Sequence, residues 1–505
     1  PIVSTVRFTN FYFQDDKLNA NGFFRNKQGL PRIDVNRNQF GGAIGGPVYL
    51  PRFGEGGPAL WSGKDRTFFF FNYEARREDN PFTRELLTVP TAAERRGDLS
   101  DLLDRARVLG FTSSNGTRTE YYFAPGNPSG PAGAPVPFGQ IFNPYGPLVP
   151  YYVDTITPQG VRTRTVVQGR PAFPNNDLSS LPVCAPGPRT SACLDPVALN
   201  VLSYIPLPNS SGTRFVSPVD GQPIPGVINN FIINDTSRFT RDIVAARIDQ
   251  KVSDKQSFFA RFSYEKRVDA FPNYFKSPAS NARTIRDQFG NFTFNHVYAF
   301  SASVINNARY GYTRVRANQR PNGQGFNPTL LGLPPYLLVN AANLQFPDFT
   351  IGGGSDGLTP PGQINSSTIG GAGNNQPRDV HTVADAVTII RSSHTIKAGG
   401  EFRLYRFYPF QFFTPVGSFS FDRTWTRGPV ATVSFANSAA SGSALASFLL
   451  GLPSSGNREI VTPLTLYKHY KAAFVQDDWR VKRNLTLNIG LRYELEPGTA
   501  EVRQL

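Results

Sequence analysis

Residues 484–495, NLTLNIGLRYEL, give the clearest indication of the fold class, because apolar and polar side chains alternate along them. Leucine, isoleucine and tyrosine occupy every second position from Leu485 to Tyr493, and polar residues or glycine occupy the positions between. Successive side chains of a β-strand point to opposite faces of its sheet. The stretch therefore predicts a strand with one apolar face and one polar face.

The same period of two recurs along the chain. Residues 256–267 place Phe258, Phe262 and Tyr264 on one face, although Phe259 interrupts the alternation, and residues 395–404 repeat the pattern. In all, the pattern predicts about twelve strands. They span residues 4–14, 37–49, 66–77, 241–252, 256–266, 285–298, 303–316, 380–390, 395–407, 417–425, 457–479 and 484–495. A soluble β-sandwich shows the same alternation, so further features are needed to assign the fold.

The composition excludes a mainly helical protein and a disordered one. The 505 residues include 46 glycines and 43 prolines, which are the poorest helix formers. Aromatic residues make up 13% of the chain and charged residues only 18%, a composition too apolar for disorder. No apolar run reaches the roughly 18 residues of a transmembrane helix, but a membrane-spanning strand needs only about ten residues.

The connections between predicted strands are either very short or very long. The short ones are residues 253–255, 300–302, 392–394 and 481–483, and the long ones are roughly residues 78–240, 267–283 and 317–379. Compact soluble domains rarely contain such long loops, whereas outer-membrane barrels combine short periplasmic turns with long outer loops. Tyrosines toward the strand ends suggest an interfacial girdle, and they are Tyr264, Tyr310, Tyr312, Tyr405, Tyr470 and Tyr493.

Two loop regions contain helix signals. Residues 92–107 are expected to form one or two helices with Thr91 as the N-cap, and residues 443–450 one short helix. The rest of region 78–240 has little periodicity. It is either a poorly ordered outer loop or a subdomain that captures a ligand or faces a partner.

The net charge bears on the binding partners of the protein, and the cysteines bear on its cellular compartment. The net charge is +15, but the basic residues are mostly single arginines, so a nucleic-acid-binding patch is not expected. Cys184 and Cys193 lie in a proline-rich stretch and either form a disulfide, which requires an oxidising compartment, or remain two unpaired thiols. The absence of methionine and of a signal peptide indicates an interior piece of a longer protein.

Five segments, in this order, resemble the Oar-like branch of TonB-dependent outer-membrane receptors. They are residues 38–47 (NQFGGAIGGP) with 64–74 (KDRTFFFFNYE), 88–100 (TVPTAAERRGDLS), 195–198 (DPVA) with 205–209 (IPLPN), 394–403 (HTIKAGGEFR), and 474–480 (FVQDDWR) with 485–494 (LTLNIGLRYE). The last segment resembles a hairpin found widely among such receptors, with Asp477, Asp478 and Trp479 as its signature.

The resemblance implies an all-β, antiparallel transmembrane barrel of about 22 strands around a plug domain. About twelve of these strands would lie in this chain. Residues 1–77 would be the first barrel strands after a plug that precedes Pro1, residues 78–240 an extracellular insertion, and residues 241–505 further hairpins. The resemblance also implies the outer membrane of a Gram-negative-type cell and uptake of a scarce ligand driven by the TonB complex. The ligand would be a peptide, a glycan or a siderophore-like compound.

In such a barrel, the charged residues on the polar faces would line a wet lumen. The candidate lumen-facing residues are Arg247, Asp249, Arg261, Glu265, Lys397, Glu401, Arg403, Arg492 and Glu494. They either contact the plug or a ligand, or form a solvated wall of ion pairs. Arginines of the outer loops would meet lipopolysaccharide phosphates. The carboxylates Asp477 and Asp478 are interpreted as a strand-end hydrogen-bonding cluster beside Trp479 rather than as a catalytic pair.

Three functions fit the sequence to different degrees. The first is a receptor or transporter, and the second is a structural or secretion-linked barrel without active uptake. The third is a soluble glycan-binding β-protein, but such a protein would have loops of similar length and two polar outer faces, and the sequence shows neither. No catalytic, metal-binding or nucleotide-binding motif stands out, so no enzyme, cofactor or metal is expected.

Overall fold

The structure is a computed structural model. It describes residues 6–27, 32, 35–51, 60–81, 85–216, 223–233, 235–352, 370, 372–430 and 440–501. No helix in these ranges is both long enough and apolar enough to cross a membrane.

Eleven long antiparallel strands form one sheet within the described residues. They are β1 (Val6–Asp15), β2 (Asn36–Pro47), β3 (Thr67–Pro81), β4 (Thr236–Ser253), β5 (Gln256–Ala270), β6 (Arg283–Ser301), β7 (Val304–Pro321), β8 (Gly373–Arg391), β9 (His394–Phe407), β10 (Leu466–Lys482) and β11 (Leu485–Leu495). Each strand pairs with the next along the chain, and the short strands Phe410–Phe412 and Ala500–Glu501 pair at the side. The all-β, antiparallel prediction is confirmed.

One predicted strand lies elsewhere. Within 417–425, only Ser418–Phe421 is a strand, and it pairs with Asp348–Ile351 and Ser455–Asn457 outside the large sheet. Four residues are too few to cross a bilayer. Instead, Phe421 is buried and packs on Phe448 at 5.0 Å between ring centroids.

Short turns join β4 to β5, β6 to β7, β8 to β9 and β10 to β11, at the four positions that the spacing predicts. The strands extend farther at the opposite end, and β8 begins at Gly373 rather than near residue 380. Residues 374–379 pair with residues 314–319 of β7. A backbone ladder needs no apolar side chain, so alternation of hydrophobicity does not reveal this polar extension.

The large sheet has one apolar and one polar face. The apolar face carries exposed side chains, which are Phe71, Ile248, Phe262, Phe292, Phe294, Val383, Phe402, Val475, Ile489 and Leu491. Leu491 is 73% exposed, and no second sheet or helix within the described ranges covers these residues. Asp385 also lies on this face, where it accepts a hydrogen bond from Asn306 at 2.6 Å. The apolar rows therefore do not fill a core formed by the described residues.

The connections between the strands of the large sheet hold the remaining elements. Their strands are Tyr49–Pro51, Leu60–Ser62, Glu85–Leu87, Asp104–Val108, Gly110–Thr112, Arg118–Phe123, Pro137–Phe138, Val149–Ile156, Arg162–Gly169, Thr213–Val216, Pro223–Ile228 and Phe231–Ile233. The α-helices in the described ranges are Phe23–Lys27, Ala92–Arg95, Pro196–Ser203 and Ala444–Leu449. The 3₁₀ turns there are Asp16–Leu18, Ser100–Leu102, Pro174–Asn176, Pro328–Leu331 and Pro335–Leu338.

The long connections share one hydrophobic core, so we call their described parts within residues 85–233, 271–282, 322–352 and 408–465 the loop body. Leu99, Phe346 and Leu445 come from three different connections and are all fully or almost fully buried in this core. A second core lies around Tyr151 and Phe142, whose rings are 6.2 Å apart. The loop body, rather than the large sheet, therefore contains most of the buried apolar side chains.

The two helix signals differ in outcome. Ser443 caps Ala444–Leu449 by accepting from the Ala446 amide, which confirms that helix. Thr91 and Glu94 form a reciprocal capping box at Ala92–Arg95, but this helix is only one turn long. Gly97 follows with φ of 96°, a left-handed conformation that ends helices, so the longer helix expected to residue 107 is wrong.

Candidate ligand path along the polar face

All nine candidate residues lie on the polar face of the large sheet. Arg247 on β4 is opposite Arg261 on β5, and a continuous register leads from Arg261 across the intervening strands to Arg403 on β9. Arg403 is opposite Tyr470, and Arg492 is opposite Phe474 on the same face of β10. Opposite residues of antiparallel strands share a face.

Glu401 lies at the centre of a charged network on β9–β11. Its carboxylate accepts from Arg403 Nε at 2.5 Å and lies 3.8 Å from Arg492 Nη2. Arg492 also pairs with Glu494 and donates to the Tyr470 hydroxyl at 2.8 Å. The network alternates positive and negative groups across three strands, and it keeps these charges partly neutralised.

Two further candidates, Arg247 and Asp249, pair with each other on β4, and β5–β8 separate them from this network. Arg247 donates to both carboxylate oxygens of Asp249 at 2.8 and 2.6 Å, and its guanidinium lies 4.0 Å from the centre of the Phe259 ring. Glu265 accepts two hydrogen bonds from Arg241 at 2.8 and 2.9 Å. Such two-point contacts fix the orientation of the side chains.

Arg261 and Lys397 differ from the other seven candidates. Neither forms an ion pair with any residue that the structure describes, and both are exposed. The ammonium of Lys397 lies 6.0 Å from the centre of the Phe474 ring, a distance at which cation–π attraction is weak. These two cations are the candidates most accessible to an anionic group.

The signature residues Asp477, Asp478 and Trp479 divide between the two faces. The Asp477 carboxylate lies 2.6 Å from His394 Nδ1, and the His394 ring stacks on Trp479 at 5.3 Å on the apolar face. Asp478 is on the polar face, where Gln476 donates to it at 3.1 Å. The two carboxylates thus point to opposite sides of the sheet and do not form a catalytic pair.

The aromatic residues also divide between the faces. Tyr264, Tyr310, Tyr312 and Tyr493 lie on the apolar face, as a girdle requires. Tyr405 and Tyr470 lie on the polar face, since they share it with Arg403, so they are not girdle residues. Tyr405 instead accepts from Arg403 at 3.3 Å. Tyr405 is three positions from the apolar-face residue Phe402 on β9, and Tyr470 is five positions from the apolar-face residue Val475 on β10, so parity within each strand would have revealed this.

The polar face contains further ion pairs that the candidate set omits. Glu78 is buried on β3 and pairs with Arg37 on β2 at 3.0 Å and with its own strand neighbour Arg76. Arg267 on β5 pairs with Asp287 on β6 at 2.7 Å. Arg267 has the same odd parity as the candidates Arg261 and Glu265 on β5, and that parity is the signal that could have identified it.

The loop body contains the two cysteines. Cys184 and Cys193 form a disulfide with their Cα atoms 5.0 Å apart, next to the backbone bond from the Cys184 amide to Leu194. Within the described ranges, no group of three His, Cys, Asp or Glu side chains lies close enough together to hold a metal ion.

A comparison with protein families supports a membrane sheet. A family model described as an outer membrane beta barrel domain matches residues 11–504. The outer membrane transporter YddB from Escherichia coli is a similar solved structure, with a TM-score of 0.39 and 9% identity. The match covers 99% of this chain and 41% of that one, so the chain spans less than half the length of the transporter. A comparison with curated proteins gave no match.

The family match explains the uncovered rows of the large sheet. A barrel in a bilayer presents apolar side chains to lipid on its outer face. The eleven strands provide such a face, and every strand that lies between two others has its backbone paired on both sides. The described sheet is an open segment of a barrel, with β1 and β11 as its end strands. The chain therefore belongs to the outer membrane beta barrel domain family, and its place is the outer membrane.

Proposed function

We propose that this chain is part of a TonB-dependent receptor of the Oar-like branch, which moves a ligand across the outer membrane and has no enzymatic activity. The observation that carries the proposal is the separation of the two faces. The apolar rows are uncovered, whereas the nine candidate residues share the opposite face. The segments of family resemblance support the finer assignment to TonB-dependent receptors.

In this proposal, the polar face lines the lumen and offers sites to a ligand or to a plug. The paired charges around Glu401 and Asp249 form a hydrated wall. Arg261 and Lys397 provide positive charge that no described acidic residue neutralises. A ligand with a carboxylate or phosphate group would therefore interact best with these two positions.

The test uses the complete gene in its own host. Ligand-dependent growth or uptake is measured for the intact protein and for a variant that lacks the N-terminal segment expected to contact TonB. Loss of uptake with unchanged amounts of protein in the outer membrane is the expected result. Unchanged uptake would contradict TonB dependence and favour the structural or secretion-linked alternative.

A second arm tests the polar face. Replacement of both Arg261 and Lys397 by Ala is expected to lower uptake about tenfold, if they contact an anionic group of the ligand. Lys255→Ala is the control, because Lys255 is an exposed cation in the short turn between β4 and β5. Equal uptake by the double variant and the control would contradict a role for the two cations.

A further inference from the structure

Basic side chains cluster on the apolar face, at the end of the strands that carries the long loops. Arg286 on β6 is opposite Asn318 on β7, and Arg316 is two residues from Asn318 on the same face. Arg314 lies two residues from Arg316, toward the short turn, on the same face. Lys266 on β5 and Arg316 on β7 are both opposite Gln288 on β6, the strand between them. Diagonal neighbours on antiparallel strands are about 7–8 Å apart, so these charges form one patch.

This basic patch is poorly neutralised. Lys266, Arg286 and Arg316 are exposed, and none of them forms an ion pair with a described residue. Arg314 has one acidic neighbour, since its Nε lies 3.6 Å from the buried carboxylate of Asp379. The patch therefore presents several guanidinium donors that described acidic residues do not occupy.

Two cations of β3 and β4 at the same end of the apolar face are paired. Arg77 lies 2.5 Å from Asp242, and Arg238 lies 3.1 Å from Asp79. Asp242 is opposite Lys266, but its carboxylate already accepts from Arg77. The basic patch on β5–β7 therefore differs from the paired cations of β3 and β4.

A groove adjoins the basic patch on the side toward the turns. Its volume is about 270 Å³, and Tyr264, Phe292 and Tyr312 line it. Gly290 forms its floor, because a Cβ atom there would meet only the carbonyl oxygen of Arg314, at 4.0 Å. The groove is mostly apolar, and its outer end reaches the guanidinium groups.

The position along the strands sets the depth of the site in the membrane. Lys266 lies about ten residues from the turn at Gln256, and a strand crosses the hydrocarbon in roughly 9–11 residues. The long-loop end of an outer-membrane barrel is extracellular. The basic patch therefore lies at the outer boundary of the hydrocarbon, with the groove just inside it.

We propose that the basic patch and the groove bind the phosphorylated glycolipid of the outer leaflet, lipopolysaccharide. Its phosphates accept hydrogen bonds from Arg286, Arg314 and Arg316, and an acyl chain occupies the groove at Gly290. Guanidinium groups match phosphate oxygens in two-point geometry, which favours arginine at such a site. The inference depends on family membership and membrane position, and it is independent of whether the barrel imports a ligand.

The test measures binding of bisphosphorylated lipid A to the purified full-length protein in detergent. The Arg286→Gln, Arg316→Gln double variant is expected to bind about tenfold more weakly than wild type. Arg238→Gln is the matched control, because it removes a paired cation from the same rim, and its affinity should stay within about twofold. Gly290→Phe fills the groove without changing charge and is also expected to weaken binding.

Two further probes distinguish the source of the phosphate. Dephosphorylated lipid A should bind wild type and the double variant alike. Phosphatidylglycerol in the same detergent should bind wild type more weakly than lipid A does. Equal affinity of wild type and the double variant for lipid A, or equal affinity of wild type for lipid A and phosphatidylglycerol, would overturn the proposal. If the double variant loses heat-modifiable migration, it has not folded, and the Gly290→Phe variant is then the test. Unchanged affinity of Gly290→Phe for lipid A would overturn the proposal.

Discussion

Arg95 donates from Nη1 to the carbonyl oxygen of Leu202 at 2.8 Å, although the two residues are 107 positions apart in the chain. The same guanidinium donates to the carbonyls of Ile205 at 2.6 Å and Pro90 at 3.0 Å, and to that of Pro206. Leu202 belongs to the last turn of helix Pro196–Ser203, where carbonyl groups lack helical partners and a cation is favourable. One side chain thus joins two parts of the loop body.

Arg95→Ala is expected to destabilise the loop body by about 2 to 3 kcal/mol, because partly buried carbonyls lose a charged donor. The measurement is the rate of limited proteolysis within residues 85–233 in the folded full-length protein. Arg96→Ala is the control, since Arg96 is exposed and donates no side-chain hydrogen bond to a described residue. Equal acceleration of cleavage in both variants would argue against the contact.

Glu94 makes the loop body sensitive to pH. Burial, and then the negative charge of Asp101, raise the pKa of Glu94 to about 7. The folded state therefore holds this proton more tightly than the unfolded state, and stability rises as pH falls from about 7 to 4.5. The gain is about 2 to 3 kcal/mol. Denaturant titration of the loop body at pH 5 and pH 8 measures it.

The variant Glu94→Gln separates this charge from the helix cap. Glutamine retains the acceptor that a capping box needs, but it has no proton to release. The variant is expected to be more stable than wild type at pH 8 and to lose most of the pH dependence. A pH dependence equal to that of wild type would show that another group titrates.

The assignment of the two sheet faces is tested by one substitution on each face of β6. Phe292→Arg places a charge on the apolar face within the hydrocarbon, where the cost depends on depth and reaches about 2–4 kcal/mol at the bilayer midplane. Thr293→Arg places the same charge on the polar face. We expect loss of heat-modifiable migration and of outer-membrane material only for Phe292→Arg. The reverse order would invert the assignment of faces.

The disulfide is expected to stabilise the loop body and not the large sheet. Cys184 and Cys193 enclose a small loop that leads directly into Asp195, the N-cap of helix Pro196–Ser203. Replacement of both cysteines by Ser is expected to cost about 2–3 kcal/mol. Differential scanning calorimetry should show a lower Tm for the loop body and an unchanged transition for the barrel. A shift of the barrel transition alone would contradict this assignment.

Alternation in the sequence predicted most of the membrane sheet. Period two located the rows around Phe262 and Leu491, because each strand exposes one face to lipid and hydrophobicity in the membrane then depends mainly on parity. The same parity predicts that Arg247 and Glu401 lie on the polar face, and the strand register places them there. Parity failed at residues 417–425, where Phe419 and Phe421 alternate for a different reason, as parts of a short strand that packs on the hydrophobic core of the loop body.

The order of residues was sufficient to identify most strands that cross the membrane and the polar face of each, because those properties depend on local periodicity. The folded chain was needed to show that Leu99, Phe346 and Leu445 meet in one core. Those partners come from separate connections with no regular spacing, so their contacts follow from how the loops pack together. The basic patch likewise required the register of three strands, since Arg286 and Arg316 become neighbours only through the pairing of β6 with β7.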